Sequence, residues 1–167
     1  MADGTDAGRV PGRDRTYVAV VGPSAPTPEQ ERDAHDVGAG LAQRGHVVVC
    51  GGRGGVMAAV ARGAAEAGGT VVGYLPGTGR ADANPWVTVA LPTGMGDLRN
   101  ALVVRAGDVV VAVGTSWGTL NEVSFAVSVG TPVVQIGGWD LPEDDRVRRV
   151  PDVAAALAAV DGLVAPG

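Results

Sequence analysis

The sequence predicts a single α/β domain built on a doubly wound parallel sheet. Two observations carry this. Apolar strand-like runs alternate with helical patterns along the chain, at spacings too long for hairpins. Two of these runs end in small-residue turns that lead straight into helices. The first is Gly51-Gly52-Arg53-Gly54-Gly55 after Val47–Cys50, and the second is Gly114-Thr115-Ser116-Trp117-Gly118-Thr119-Leu120-Asn121-Glu122 after Val109–Val113. In a parallel sheet both turns fall on the edge formed by the carboxyl ends of the strands, where ligands bind.

Tyr17–Val21 reads as the first strand by its apolar continuity. A helix opens after it, with Thr27 as N-cap, Pro28 at the first position and Gln30 closing a capping box. Ala34, Val37 and Leu41 give its buried stripe and Gly45 ends it. Strand two is followed by the first glycine turn and a helix from Val56 that ends at Gly68-Gly69. Thr70–Tyr74 is strand three, residues 76–85 form a loop, and Trp86–Ala90 is a short strand. Asp97 caps a helix that runs through Arg105. Strand five leads into the second turn and a helix over Val123–Val129. Pro132–Ile136 is strand six, residues 137–149 a polar loop, and Pro151–Val160 an alanine-rich final helix. Residues 1–15 read as a disordered tail and 16–167 as the domain.

Composition narrows the function. The chain has 167 residues, 46% of them hydrophobic and 4% aromatic, so small aliphatic side chains must fill one core. All 13 basic residues are arginine, which excludes both a Schiff-base lysine and the lysine of a Walker phosphate loop. A net charge of −5 argues against a nucleic-acid partner, and no apolar run reaches membrane-spanning length. A single cysteine, Cys50, fits a reducing cytoplasm and packs as a small apolar residue. His35 and His46 lie far from it, without metal-ligand spacing.

A strand, a small-residue turn and a helix together present backbone N–H groups and a positive helix end to an anion. Glu122 has two readings: the second carboxylate-bearing half of a Thr119–Glu122 capping box, or a functional carboxylate beside a phosphate-sugar. Arg99 either reaches solvent or faces an anion. Trp117 packs on a neighbouring helix or stacks on a base, packing being the commoner fate. Arg53 clamps a phosphate or points to water, and water is preferred. Ser24, after strand one, reaches the shared site as a hydroxyl donor.

These motifs resemble the Lonely Guy proteins, a Rossmann-like nucleotide-binding family mislabelled as lysine decarboxylases. The likeness rests on Gly51–Met57, the pair Arg99-Asn100 and Gly114–Glu122, and it spans residues 17–136. Ala83-Asn84-Pro85, Leu91-Pro92-Thr93-Gly94 and Gly118-Thr119-Leu120 resemble the sub-branch that includes molybdenum cofactor carrier proteins.

The resemblance implies a Rossmann-like fold and a homodimer or homotetramer. It also implies a small phosphorylated ligand: molybdenum cofactor, or a nucleoside monophosphate. Ligand contacts then fall on Ser24, Gly51, Gly52, Gly54, Gly55, Asn100, Gly114, Thr115, Ser116, Gly118 and Thr119. Enzymes of the family are phosphoribohydrolases that need no cofactor, and their catalytic pair corresponds to Arg99 and Glu122. The chain departs from them where Gly114-Thr115-Ser116 replaces Pro-Gly-Gly and where Asn100 replaces lysine. Both changes leave anion binding in place and weigh toward a binding protein over a hydrolase.

Overall fold

The computed structural model describes residues 14–165, so most of the segment read as a tail lies outside the described residues. Seven strands form one sheet in the order β4-β3-β2-β1-β5-β6-β7. They are β1 (Tyr17–Val21), β2 (Val47–Cys50), β3 (Val71–Leu75), β4 (Val89–Pro92), β5 (Val109–Val113), β6 (Val133–Ile136) and β7 (Val147–Val150). Every neighbouring pair is parallel.

Five helices cover the two faces: α1 (Pro28–Gln43), α2 (Val56–Glu66), α3 (Asn100–Ala106), α4 (Trp117–Val129) and α5 (Val153–Val164). β1 and β5 lie side by side although the chain leaves them in opposite directions across the sheet. Strand order reverses there, which opens a crevice at their carboxyl ends.

The central strands are nearly all valine and alanine because both their faces are covered. Val18, Val20, Val48, Val111 and Val113 point into the layer formed with α1, α2 and α5. Ala19, Val21, Val49, Val110 and Ala112 point into the layer with α3 and α4. Cys50 is fully buried in the first layer, and burial pushes its thiol up to about 11, so it packs as an inert apolar group.

α1 starts as its sequence dictates. The Thr27 side chain accepts from the Gln30 backbone N–H, and the Gln30 side chain accepts from the Thr27 N–H. α1 and α2 pack through glycine: a methyl added at Gly63 would stand 1.9 Å from the His35 carbonyl oxygen.

Four departures from the sequence reading are larger than shifts at an element's ends. β4 starts at Val89, because the Asn84 side chain accepts from the Trp86 N–H and folds residues 84–86 into a turn. α4 starts at Trp117, six residues before the expected helix. Asp97 lies in a 3₁₀ turn, Gly96–Arg99, ahead of α3 and makes no cap. β7 occupies part of the expected polar loop. It is a short edge strand whose exposed Arg148 and Arg149 hide it from any apolar pattern.

The α1–α2 contact yields a prediction. Alanine is about 1 kcal/mol better than glycine in a helix interior, but at Gly63 its methyl must push two backbones apart. Gly63→Ala should therefore lower the urea midpoint, by a net loss of roughly 1–3 kcal/mol. An unchanged or raised midpoint would show that α1 is free to shift.

Candidate functional site

A cavity of about 200 Å³ opens in the β1/β5 crevice. Its floor is the end of β1, with Val20, Val21 and Gly22. Gly51 and Met57 close it from the first glycine turn and α2. Asp97, Arg99 and Asn100 close it from the turn before α3, and Ser116, Gly118, Thr119 and Glu122 from the start of α4. Ser24 stands at the remaining side. A larger depression, about 430 Å³, lies between α1 and α2 and is walled mostly by surface charges such as Glu31, Arg32, Asp36 and Arg62.

Arg99 is 8% exposed and does not reach solvent. Its guanidinium lies directly over Gly51, where a methyl would stand 2.6 Å from Nη2. Only glycine at 51 leaves that space. The Arg99 Nη1 donates to the Asn100 side-chain oxygen, so Asn100 aims the guanidinium. Nη2 contacts the Met57 sulfur at 3.9 Å. The Arg99 Nε is buried with no hydrogen-bond partner among the described residues. An unpaired N–H on a buried cation is costly to leave in that state, and a ligand oxygen would satisfy it.

α4 presents its amino end to the same cavity. Ser116 is its N-cap: Oγ accepts from the Thr119 N–H at 3.2 Å and lies 3.0 Å from the Thr119 hydroxyl. The N–H groups of Trp117 and Gly118, first in the helix, have no acceptor within it. They form the positive end of the helix dipole.

Ser116 as N-cap removes the capping reading of Glu122. The third helical residue is Thr119, so Glu122 lies one turn too far along to close a capping box. Its side chain lines the cavity at 9% exposure. Among the described residues it makes no hydrogen bond and no ion pair. Burial pushes its carboxyl up to about 7, and the Arg99 charge offsets part of that shift.

Eight of the thirteen residues singled out from the sequence meet at this cavity: Ser24, Gly51, Arg99, Asn100, Ser116, Gly118, Thr119 and Glu122. Five do not line it. Gly52 packs under Leu75, Gly54 is exposed, and Gly55 precedes α2 against the backbone of Pro23 and Ser24. Gly114 lies against the Gln30 side chain. The Thr115 hydroxyl turns away and accepts from the Trp139 N–H at 3.1 Å. These five shape the turns rather than face the space.

Arg53 is exposed, as preferred. Trp117 is not packed on a helix: it is 78% exposed and meets Trp139 edge to face, with ring centroids 4.8 Å apart. Gly22, Met57 and Asp97 line the cavity without having been assigned to it. Gly22 had a signal, since it follows β1 directly as Gly51 follows β2.

The chain is similar to known proteins over most of its length. The model of the SLOG cluster4 family matches residues 15–160. The molybdenum cofactor binding protein of the phototrophic bacterium Rippkaea orientalis superposes with a TM-score of 0.86. It is 29% identical, over 90% of this chain and 98% of that one. The molybdenum cofactor carrier protein of Chlamydomonas reinhardtii superposes with a TM-score of 0.83 at 33% identity, over 91% and 99%. An uncharacterized protein of Archaeoglobus fulgidus is 35% identical over 137 residues, 82% of this chain and 90% of that one.

Glu122 makes stability depend on pH. Its folded-state value of about 7 lies above the ordinary 4.5, so the folded chain holds the proton more tightly than the unfolded chain. Stability is therefore full below about pH 4.5 and falls as pH rises toward 7. Glu122→Gln should remove that fall, leaving the variant more stable near pH 8 by up to roughly 3 kcal/mol and equal to the parent near pH 4. Parallel denaturation curves for parent and variant across this range would contradict it.

Proposed function

The chain belongs to the SLOG cluster4 family, and from that premise we propose that it is a binding protein for a small phosphorylated, nucleotide-like ligand. Molybdenum cofactor is the candidate cargo. The observation that carries this is the buried Arg99, with an unpaired Nε, in one cavity with the free amino end of α4. That is a donor set for an oxyanion: a charged fork, two backbone N–H groups and a helix dipole. The Ser116 and Thr119 hydroxyls, already paired with each other, hold the turn in shape. Two solved relatives, one described as binding and one as carrying molybdenum cofactor, support that choice of cargo.

Charge balance favours a neutral Glu122 in the occupied site. The cavity has one cation, Arg99, against two carboxyls, Asp97 and Glu122. A phosphate entering beside them is repelled by an ionised Glu122. A protonated Glu122 instead offers an O–H donor to a ligand oxygen or ring nitrogen.

A second reading is favoured by one observation, the presence of Arg99 and Glu122 at the same cavity. It is a nucleoside 5′-monophosphate phosphoribohydrolase. Glu122 would then stabilise the oxocarbenium-like transition state while Arg99 holds the phosphate.

The deciding experiment combines turnover and binding. Ribose 5-phosphate release is measured from a panel of nucleoside 5′-monophosphates. In parallel, the protein is incubated with isolated molybdenum cofactor, gel-filtered and analysed for molybdenum. The expected result is co-elution of molybdenum and no release. Release that vanishes in Glu122→Gln would establish the hydrolase, and neither result would remove both readings.

Two further outcomes are expected. Arg99→Met should weaken phosphate-ester binding by roughly 10- to 100-fold, as measured by calorimetry. Sulfate keeps a constant charge near neutrality, so it should bind more tightly as pH falls from about 8 to 6, and Glu122→Gln should abolish that dependence.

A further inference from the structure

The cavity, at about 200 Å³, is smaller than the ~300–1,000 Å³ of sites that bury a whole small-molecule ligand. A ligand with its phosphate on the amino end of α4 therefore keeps part of its body outside. Trp117 is the first residue of α4, and its two neighbours, Ser116 and Gly118, both line the cavity. It nevertheless leaves 78% of its surface in water.

Its partner, Trp139, is 41% exposed, and its backbone is held through both its N–H and its carbonyl. The Trp139 N–H donates to the Thr115 hydroxyl at 3.1 Å. The Trp139 carbonyl accepts from the Gln135 amide at 3.1 Å, and the same amide donates to Gly137. Gln135 is itself buried, at 2% exposure, on β6 between β5 and β7. The Trp139 backbone is thus anchored to the turn that precedes α4 and to β6, and the Trp117 ring meets the Trp139 ring edge to face. Rings meeting at 73° leave the face of one tryptophan and the edge of the other open to a third ring.

We propose that Trp117 and Trp139 form an aromatic shelf that takes the planar heterocycle of the phosphorylated ligand, outside the cavity that takes its phosphate. The inference rests on the anion-binding reading of that cavity. It also gives Thr115 a role: this residue, aimed away from the anion, positions Trp139. The other exit, past Ser24, leads to a depression walled by Glu31, Arg62 and Trp86. Trp86 packs against the core cluster, so that side offers charges and a ring already in use.

The test compares ligands with and without a ring. Calorimetric affinities of ribose 5-phosphate, AMP and GMP are measured on the full chain and on Trp117→Ala, Trp139→Ala, Trp117→Phe, Trp86→Leu and Arg99→Met. AMP and GMP serve as probes because stacking tolerates any base. Both should bind more tightly than ribose 5-phosphate. Trp117→Ala and Trp139→Ala should each weaken the nucleotides by roughly 5- to 150-fold and leave ribose 5-phosphate unchanged. Trp117→Phe should retain most of the preference.

Nucleotide affinities unmoved by the shelf variants, with ribose 5-phosphate still dependent on Arg99, overturn the shelf alone. A preference lost in Trp86→Leu instead places the ring past Ser24 and also overturns it. A change of mass by light scattering in Trp117→Ala, with nucleotide affinity intact, makes the pair a subunit contact. If none of the three phosphates binds, the anion reading falls and the shelf with it.

Discussion

The reversal of strand order at β1 is the constraint on which the rest depends. β1 and β5 run side by side, yet the chain leaves one toward α1 and the other toward α4. No connection crosses the gap at their carboxyl ends, so the sheet has a crevice there by topology alone. The approach is close: a methyl at Gly22 would stand 2.6 Å from the Val113 carbonyl. Everything proposed for this protein is arranged around that gap. β1 provides the floor, β2 the glycine turn under Arg99, and β5 the turn that starts α4.

Two unfavourable features then share one cavity. A cation is buried with an unpaired N–H, and a carboxylate is buried with no partner. Neither helps the fold, since burying charge without full pairing costs stability. The Val- and Ala-rich layers on both sides of the sheet supply the stability that tolerates them. This division of labour, with an unstrained apolar frame and a few under-satisfied polar groups in one place, is how a binding site differs from a core.

Much of this was legible in the sequence, and the failures have physical causes. Unbroken runs such as Val109–Val113 mark strands buried on both faces. Thr27-Pro28-Glu29-Gln30 marks a helix start, because each residue acts through local geometry. The motif residues found their cavity where they sit at a helix amino end or under Arg99. Local pattern left Glu122 with two readings, because Thr119-Leu120-Asn121-Glu122 satisfies the capping-box spacing although Ser116 takes the N-cap. Trp117 was misplaced because tryptophan is usually buried, and only the tertiary position of Trp139 shows otherwise. β7 was invisible because an edge strand needs no alternating pattern. Asp97 joins the site through a 3₁₀ turn whose course depends on packing between distant elements.

The under-satisfied Arg99 and Glu122 have a consequence for the life of the protein in a cell. A ligand that satisfies both removes a penalty present only in the empty chain, so binding and resistance to unfolding rise together. An empty form would then visit open states more often and be the one proteases reach. Turnover would then clear vacant copies faster than loaded ones. The amount of protein present would follow the supply of its ligand without any dedicated regulator.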